Sequence, residues 1–178
     1  MKFLIASDIH GSKYYAEKIV ELKKKEKADK IIVLGDIYNH GPRNPLPKDY
    51  APLEVAEILN GEIKDLIIIK GNCDSQVDTM ISKFDFLENL VIVSGEKSVF
   101  LTHGHIYNKD CPPKTNFDAV IYGHFHTGFI ERIGQTVFAN AGSTSLPKNG
   151  TPNSYIVLSD GVITLKDIGG KVIKEIKI

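Results

Sequence analysis

The first seventy residues alternate between short apolar runs and amphipathic segments, and this alternation restricts the possible fold more than any other feature. Three apolar runs are too short for helices and are predicted as buried strands: residues 2–7, 30–34 and 66–70. Residues 12–28 and 52–61 carry apolar side chains at helical spacing, with Pro52 at a position where a helix can begin. The strand–helix–strand–helix–strand order predicts a parallel sheet with right-handed crossovers.

The rest of the chain is rich in β-forming residues, and its connections are turn-like. Eight more strands are predicted there, at residues 90–93, 98–102, 119–122, 128–132, 136–140, 154–158, 162–167 and 171–178. Pairs such as Asp160-Gly161 between these runs are typical of hairpins. We therefore expect a parallel half and a largely antiparallel half, packed as two sheets with helices outside.

The length of 178 residues and the hydrophobic content of 42% suit one compact domain, which we expect to span residues 1–178. Lys and Arg (22) balance Asp and Glu (22), so the net charge is zero and an extended nucleic-acid surface is not expected. No apolar run approaches the ~18 residues that a membrane span needs. With two cysteines and no targeting segment, a cytoplasmic protein is expected.

The histidines all lie at, or within a few residues of, the carboxyl end of a predicted strand: His10, His40, His103, His105, His124 and His126. Asp8, Asp36 and Asn72 likewise follow the first three strands. Open α/β sheets bind ligands at the carboxyl ends of their strands. Each turn alone could be a helix cap or hold a satisfied histidine. Five such turns at successive strand ends together predict a metal site.

The donor types indicate which metals such a site would take. A set of only Cys and His would suggest structural zinc, whereas mixed Asp, Asn and His donors suit Mn, Fe, Ni or Zn in higher coordination. The candidate ligands are more numerous than one tetrahedral ion needs, so two ions that share a carboxylate are the economical solution. Such a pair carries net positive charge and stabilises in-line displacement at phosphorus, which favours an anionic substrate.

Five motifs follow one another along the chain: Asp-x-His at 8–10, Gly-Asp at 35–36, Gly-Asn-x-Asp at 71–74, His-Gly-His at 103–105 and Gly-His-x-His at 123–126. In this order they resemble the calcineurin-like metallophosphoesterases, and the resemblance covers essentially the whole chain. It implies an α/β fold of four layers, αββα, in which two packed mixed β-sheets are flanked by helices, with a dimetal centre. The short length and residues 38–44 are similar to the YfcE-type bacterial phosphodiesterases, which implies a homo-oligomer.

The resemblance also implies a role for each candidate ligand. The metal ligands would be Asp8, His10 and His126 at the first ion, Asp36 as the bridge, and Asn72, His103 and His124 at the second. Two divalent ions are the implied cofactor, with Mn²⁺ expected and Ni²⁺, Zn²⁺ or Fe as alternatives. A hydroxide that bridges the ions would attack phosphorus in line, and Asp36, Asn72 and His103 would be catalytic residues.

One departure from the pattern of many relatives lies at the position expected to protonate the leaving group. Many relatives have Gly-Asn-His followed by Asp or Glu, where the His is a proton donor or a transition-state contact. Cys73 stands at that position here, as in the YfcE type, and Asp74 would lose its usual imidazole partner. Both are predicted catalytic residues. A thiol with a pKa of about 8.5 is a poor general acid, so we expect weak turnover of esters with basic leaving groups.

The long loop after the second strand and the His-Gly-His turn supply candidate substrate contacts. Arg43 offers a bidentate fork to a phosphate, and His40 and His105 are further candidates. Arg43 could equally hold its own loop in place or lie in a subunit contact, and His105 could instead cap the His103 turn. The predicted function is a metal-dependent phosphodiesterase that acts on a small phosphodiester. A phosphomonoesterase or nucleotidase on the same site is one alternative. A non-catalytic, protein-binding scaffold of the same fold, like the retromer scaffold subunit, is the other.

Overall fold

A computed structural model describes all 178 residues, with twelve β-strands and two α-helices. The strands are β1 (Lys2–Ala6), β2 (Lys30–Val33), β3 (Leu66–Ile69), β4 (Phe86–Leu87), β5 (Leu90–Ser94), β6 (Lys97–Leu101), β7 (Ala119–Tyr122), β8 (Phe129–Ile133), β9 (Thr136–Asn140), β10 (Ser154–Ser159), β11 (Val162–Asp167) and β12 (Val172–Lys177). The α-helices are α1 (Lys13–Glu26) and α2 (Pro52–Gly61). No helix has the length and apolar character that crossing a membrane requires.

The larger sheet has seven strands in the order β12-β11-β10-β1-β2-β3-β4. β1, β2 and β3 are parallel, with α1 and α2 in the connections between them, so the parallel unit predicted from the first part of the chain is confirmed. The last three strands join the same sheet, with β10 antiparallel to β1 and Phe3 opposite Leu158. β4 is absent from the sequence prediction, because a strand of two residues shows no periodicity.

The smaller sheet has five strands in the order β5-β6-β7-β9-β8. The β5–β6 and β8–β9 pairs are antiparallel hairpins, as expected. β6, β7 and β9 are parallel to one another, which differs in part from the largely antiparallel half that the sequence suggests. The chain returns from β6 to β7 through residues 102–118, which are numerous enough for a parallel crossover but contain no helix to signal it.

Strands at the centre of the larger sheet are buried on both faces, which explains their continuous apolar runs. Ile5 faces the smaller sheet and belongs to a core that includes Leu101 and Ile121. Its neighbour Leu4 faces the other way, into a second core that includes Ile19 of α1. The two sheets therefore pack against each other through the first core, and the helices cover the outer face of the larger sheet.

The outer face of the smaller sheet is covered by a loop segment rather than by a helix. The ring of Phe100 on β6 stacks on the ring of Phe117, with centroids 5.0 Å apart. The ring of Tyr107 packs edge-on against the Phe100 ring, with centroids 5.6 Å apart. Phe117 and Tyr107 both belong to the β6–β7 connection. The predicted α/β class with two packed mixed sheets is confirmed, and its helical layer lies on the larger sheet.

Candidate metal centre

Polar residues that follow the parallel strands of both sheets converge at one edge of the molecule. They are Asp8 and His10 after β1, Asp36 after β2, Asn72 after β3, His103 after β6, and His124 and His126 after β7. A hydrogen bond joins the two sheets here, because the backbone N–H of His124 donates to Asp8 Oδ2 at 3.0 Å. The structure therefore brings together all the residues that the sequence predicts as metal ligands.

Asp8, His10 and His126 form the first part of this group. His126 Nε2 lies 3.3 Å from Asp8 Oδ1 and 3.1 Å from His10 Nε2. His10 Nε2 lies 3.6 Å from Asp8 Oδ1 and 3.7 Å from Asp36 Oδ2. All four residues are buried, and Asp8 Oδ1 has no hydrogen-bond partner. A buried carboxylate oxygen without a hydrogen bond is costly, and a bound cation would satisfy it.

Asp36, Asn72, His103 and His124 form the second part of the group. His103 Nε2 lies 3.4 Å from Asp36 Oδ1, 3.0 Å from Asn72 Oδ1 and 3.3 Å from His124 Nδ1. Asp36 presents one carboxylate oxygen to each part, with Oδ1 toward His103 and Oδ2 toward His10. This geometry suits a carboxylate that bridges two ions.

Backbone carbonyls fix the tautomers of three histidines. The Nδ1 atoms of His10, His103 and His126 each lie 2.6 Å from a carbonyl oxygen, those of Asn39, Leu34 and Leu146 respectively. Because a carbonyl only accepts, Nδ1 carries the proton and Nε2 presents a lone pair to the centre. The Nε2 atoms of His10 and His126 face each other across 3.1 Å. Converging electron-pair donors of this kind fit divalent metal ions.

The buried setting keeps His10 and His124 in the form that binds metals. Burial lowers the pKa of His10 below its ordinary value. Burial also lowers the pKa of His124 to about 4, and the neighbouring His103 acts in the same direction. Both imidazoles are therefore neutral at neutral pH, and neutral imidazole is the metal-binding species.

Left-handed backbone carries much of the centre. Asp8, His10, Asp36, His124 and His126 have φ values between 52° and 66°. Residues other than glycine rarely adopt this region, and such strain persists only where the surrounding structure holds it in place. Strained residues of this kind are concentrated at functional sites. Their coincidence with the candidate ligands is independent support for a functional site here.

Cys73 lies beside the bridging carboxylate. Its backbone N–H donates to Asp36 Oδ1 at 2.8 Å, and its Sγ lies within 4.8 Å of ligand atoms of His10 and Asp36. Burial and the charge of Asp36 raise the pKa of the thiol to about 12. The side chain is therefore a neutral thiol next to the centre.

Asp74 lies behind the centre rather than in it. Its carboxylate accepts hydrogen bonds from the backbone N–H groups of Asp36, Ile37 and Gly71 at 2.7 to 2.8 Å. Burial raises the pKa of this carboxyl to about 6, and the charge of Asp36 adds to the effect. Asp74 therefore ties the loops after β2 and β3 together, which is a positioning role, and its partners are amides rather than an imidazole.

A cavity of about 400 Å³ opens next to the centre. Its lining includes several of the predicted ligands and Arg43, one of the three predicted substrate contacts. His40 and His105 lie outside this lining, so the structure does not bring them to the cavity. Lys148, from the loop between β9 and β10, does line it. Sequence analysis misses Lys148 because an exposed lysine in a loop belongs to no pattern.

Two packed mixed sheets whose parallel strands end in clustered Asp, Asn and His side chains are the arrangement of a metallophosphoesterase. Residues 1–160 match the model of the calcineurin-like phosphoesterase superfamily domain. The chain therefore belongs to the calcineurin-like phosphoesterase superfamily, whose members use divalent metal ions.

Individual relatives agree with this membership. Phosphodiesterase YfcE of Escherichia coli (strain K12) is 43% identical over 167 residues, which are 93% of this chain and 91% of that protein. The probable metallophosphoesterase YsnB of Bacillus subtilis (strain 168) is 26% identical, over 89% of this chain and 84% of that protein. The solved structure of YfcE, a phosphoesterase from E. coli, has a TM-score of 0.95 at 38% identity over 100% of both chains. Vps29 from Cryptosporidium parvum, with a TM-score of 0.65 at 21% identity over 99% of this chain and 98% of that one, shares the fold.

Proposed function

We propose that this protein is a hydrolase, a metal-dependent phosphodiesterase that acts on a small phosphodiester. The observation that carries the proposal is the convergence of imidazole nitrogens, carboxylates and an amide oxygen at one edge of the sheets, beside a cavity. Phosphoryl transfer depends mainly on positioning and on stabilisation of charge, which such a centre supplies. The 43% identity to a phosphodiesterase over 93% of the chain supports the same activity.

Two divalent ions are the proposed cofactor. The proposed ligands are Asp8, His10 and His126 for the first ion, Asn72, His103 and His124 for the second, and Asp36 for both. The orientation of the two Asp36 oxygens toward different histidines supports its bridging role. When bound, such a pair of ions lowers the pKa of a water molecule and neutralises charge on the phosphoryl oxygens.

The side chains around the centre prepare it for this chemistry. The Nδ1–carbonyl hydrogen bonds hold the lone pairs of His10, His103 and His126 in place before substrate arrives. The backbone N–H of Cys73 orients the carboxylate of Asp36 in the same way. Groups held in this manner need no reorganisation when charge develops in the transition state, which is the main source of electrostatic catalysis.

The proposal is tested by the hydrolysis of two chromogenic esters. Bis-(p-nitrophenyl) phosphate and p-nitrophenyl phosphate are given to metal-stripped protein and to protein supplied with Mn²⁺, Ni²⁺, Zn²⁺ or Mg²⁺. We expect no turnover by the stripped protein, and diester turnover above monoester turnover once metal is added. The physical reason is that the two ions supply most of the charge stabilisation and the activated water.

The same measurement separates the alternatives. A faster reaction with the monoester would favour a phosphomonoesterase or nucleotidase. Inactivity with every metal, in a protein that also binds none, would overturn the proposal in favour of a protein-binding scaffold. Metal binding without turnover of either ester would contradict the phosphodiesterase proposal as well.

Four finer features belong to the same proposal. We propose Mn²⁺ as the resident metal. Elemental analysis of protein purified without added metal tests this. We also propose a homo-oligomer, and sedimentation equilibrium measures the number of subunits. One domain over residues 1–178 predicts a single cooperative unfolding transition. A cytoplasmic location is proposed, and cell fractionation tests it.

Replacing Cys73 by His is expected to raise turnover of a diester with a basic leaving group. The raised pKa of the thiol, about 12, leaves it a poor acid, whereas an imidazole can donate a proton near neutral pH. Because amides already occupy the Asp74 carboxylate, the new imidazole would lack that partner, and we expect a gain of about tenfold, below the usual range for general acids.

The measurement compares diphenyl phosphate, whose leaving group is basic, with bis-(p-nitrophenyl) phosphate, whose leaving group is not. Cys111→His is the matched control, since Cys111 is exposed in the loop between β6 and β7. An equal gain on both esters, or no gain on diphenyl phosphate, would contradict the view that the thiol limits protonation of the leaving group.

A further inference from the structure

Two cationic side chains line the cavity beside the centre, and each comes from a different loop. Arg43 lies in the loop between β2 and α2, and Lys148 lies in the loop between β9 and β10. Neither side chain forms an ion pair or donates a hydrogen bond within the chain. Some exposed lysines elsewhere are paired, such as Lys109, whose Nζ lies 3.0 Å from Glu131 Oε1. The cavity therefore presents two positive charges that form no ion pair within the protein.

Hydrogen bonds that involve backbone groups of both loops connect these loops to the candidate metal ligands. The carbonyl of Asn39, in the loop that carries Arg43, accepts from His10 Nδ1 at 2.6 Å. On the other side, the backbone N–H of Lys148 donates to the carbonyl of His126 at 2.9 Å. Both cations therefore extend from backbone that is held at a defined place relative to the centre, rather than from free surface loops.

The rest of the lining is polar. It includes the amides of Asn39 and Asn44, and Pro42 and Cys73 are its only side chains of low polarity. Asp36 is its one acidic residue, and that carboxylate is the proposed bridge between the ions. A volume of about 400 Å³ lies in the range of small-molecule sites, ~300–1,000 Å³, and exceeds the space that one phosphate group fills. Such walls favour a hydrophilic arm over an aromatic or lipid one.

We propose that the cavity receives a phosphodiester whose alcohol arm carries a further anionic group, a carboxylate or a second phosphate, and that Arg43 and Lys148 bind this group. The inference rests on the phosphodiesterase function proposed above and names the substrate class of that site. The single negative charge of a diester would be met by the proposed metal ions. The two unpaired cations are therefore free to bind additional negative charge, and the fork of Arg43 suits a carboxylate or a phosphate.

Two matched probes test the proposal on the metal-loaded protein. They are p-nitrophenyl 2-carboxyethyl phosphate and its isostere with an uncharged arm, p-nitrophenyl 2-carbamoylethyl phosphate. The two probes have the same leaving group and nearly the same size. The measured quantity is the ratio of kcat/KM for the carboxylate probe to kcat/KM for the carbamoyl probe. We expect the wild-type ratio to be about 25, since each partly exposed ion pair contributes up to about fivefold. The ratio should fall as salt is added, because exposed charges are screened.

Arg43→Gln and Lys148→Gln are each expected to lower this ratio about fivefold, and together to bring it close to one. Lys148→Arg keeps the charge and should keep most of the preference. Lys174→Gln on the edge strand β12 is the matched control, because this lysine is exposed and lies outside the cavity lining. Its ratio should equal that of the wild type.

A wild-type ratio near one, with metal-dependent turnover of the carbamoyl probe intact, would overturn this inference and leave the phosphodiesterase proposal standing. A high ratio that neither glutamine substitution lowers would overturn the assignment to Arg43 and Lys148. Faster hydrolysis of p-nitrophenyl phosphate than of both probes, lost in both variants, would reassign the two cations to a monoester. No turnover of any of these esters with any metal would overturn the proposed function, and this inference with it.

Discussion

Asp36→Asn is expected to lower kcat/KM for bis-(p-nitrophenyl) phosphate about 1,000-fold or more, a loss of about 4 kcal/mol of transition-state stabilisation. The carboxylate faces both parts of the centre, with Oδ2 3.7 Å from His10 Nε2 and Oδ1 3.4 Å from His103 Nε2. An amide keeps the size but loses the charge and one of the two acceptor oxygens. Two ions could then no longer be held at a short separation.

Metal content is the second readout for this variant, and it separates a chemical effect from a folding effect. Elemental analysis should find fewer than two ions per chain in Asp36→Asn, while the unfolding transition of the metal-free protein stays cooperative. Asp85→Asn is the matched control, since Asp85 is exposed and forms no ion pair. Retention of two ions and more than a tenth of the activity in Asp36→Asn would disprove the bridging role.

Gly71→Ala is expected to reduce the same activity about 100-fold by displacing the bridging carboxylate. A Cβ at position 71 would clash with Asp36 Oδ1 and with the backbone nitrogen of Asp36, and it would lie 3.0 Å from Asp36 Cγ. The neighbouring loop is held on the other side, because Asp74 accepts from the N–H groups of both Gly71 and Asp36. The carboxylate would therefore have to move out of the position proposed to serve both ions, and changes to groups that hold a metal ligand in place cost about 10- to 100-fold.

Overpacking should also lower the free energy of unfolding of Gly71→Ala by about 1–3 kcal/mol. Gly61→Ala is the control, because a Cβ at the end of α2 meets no atom within 4 Å. Thermal unfolding and kcat/KM are measured for both variants. If Gly71→Ala lost stability but kept full activity, the tight packing at Gly71 would serve the fold alone.

The sequence predicts the larger features of this fold because local patterns determine them. β1, β2 and β3 are continuous apolar runs, and they are so because both of their faces are buried. The ligand candidates could be found because each follows a strand directly, and parallel strands bring their carboxyl ends to one edge. These two rules suffice for the class of fold and for the composition of the candidate centre.

Features that depend on contacts between residues distant in sequence could not be predicted from these local rules. The parallel pairing of β6 with β7 depends on the path of the connecting loop, which contains no helix. No periodicity in the sequence indicates that path. The position of Asp74 behind Asp36 depends on three backbone N–H groups, which no side-chain pattern signals. Lys148 reaches the cavity only because its loop is bonded to His126, far away in the chain. In each case the determining partner is a backbone group or a remote loop.

The place of β1 in the middle of the larger sheet has a consequence for the order of events during synthesis. One of its neighbours, β2, is made soon after it, but the other, β10, spans Ser154–Ser159, so most of the chain must leave the ribosome first. Strands this distant in sequence pair slowly, because the entropy cost of closing the long loop between them comes before the pairing contributes any stabilisation. The backbone of Asp8 also depends on residues that are synthesised late, since its carbonyl accepts hydrogen bonds from the hydroxyls of Ser143 and Ser145. We therefore expect the nascent chain to stay free of metal and the ions to be taken up after translation is complete.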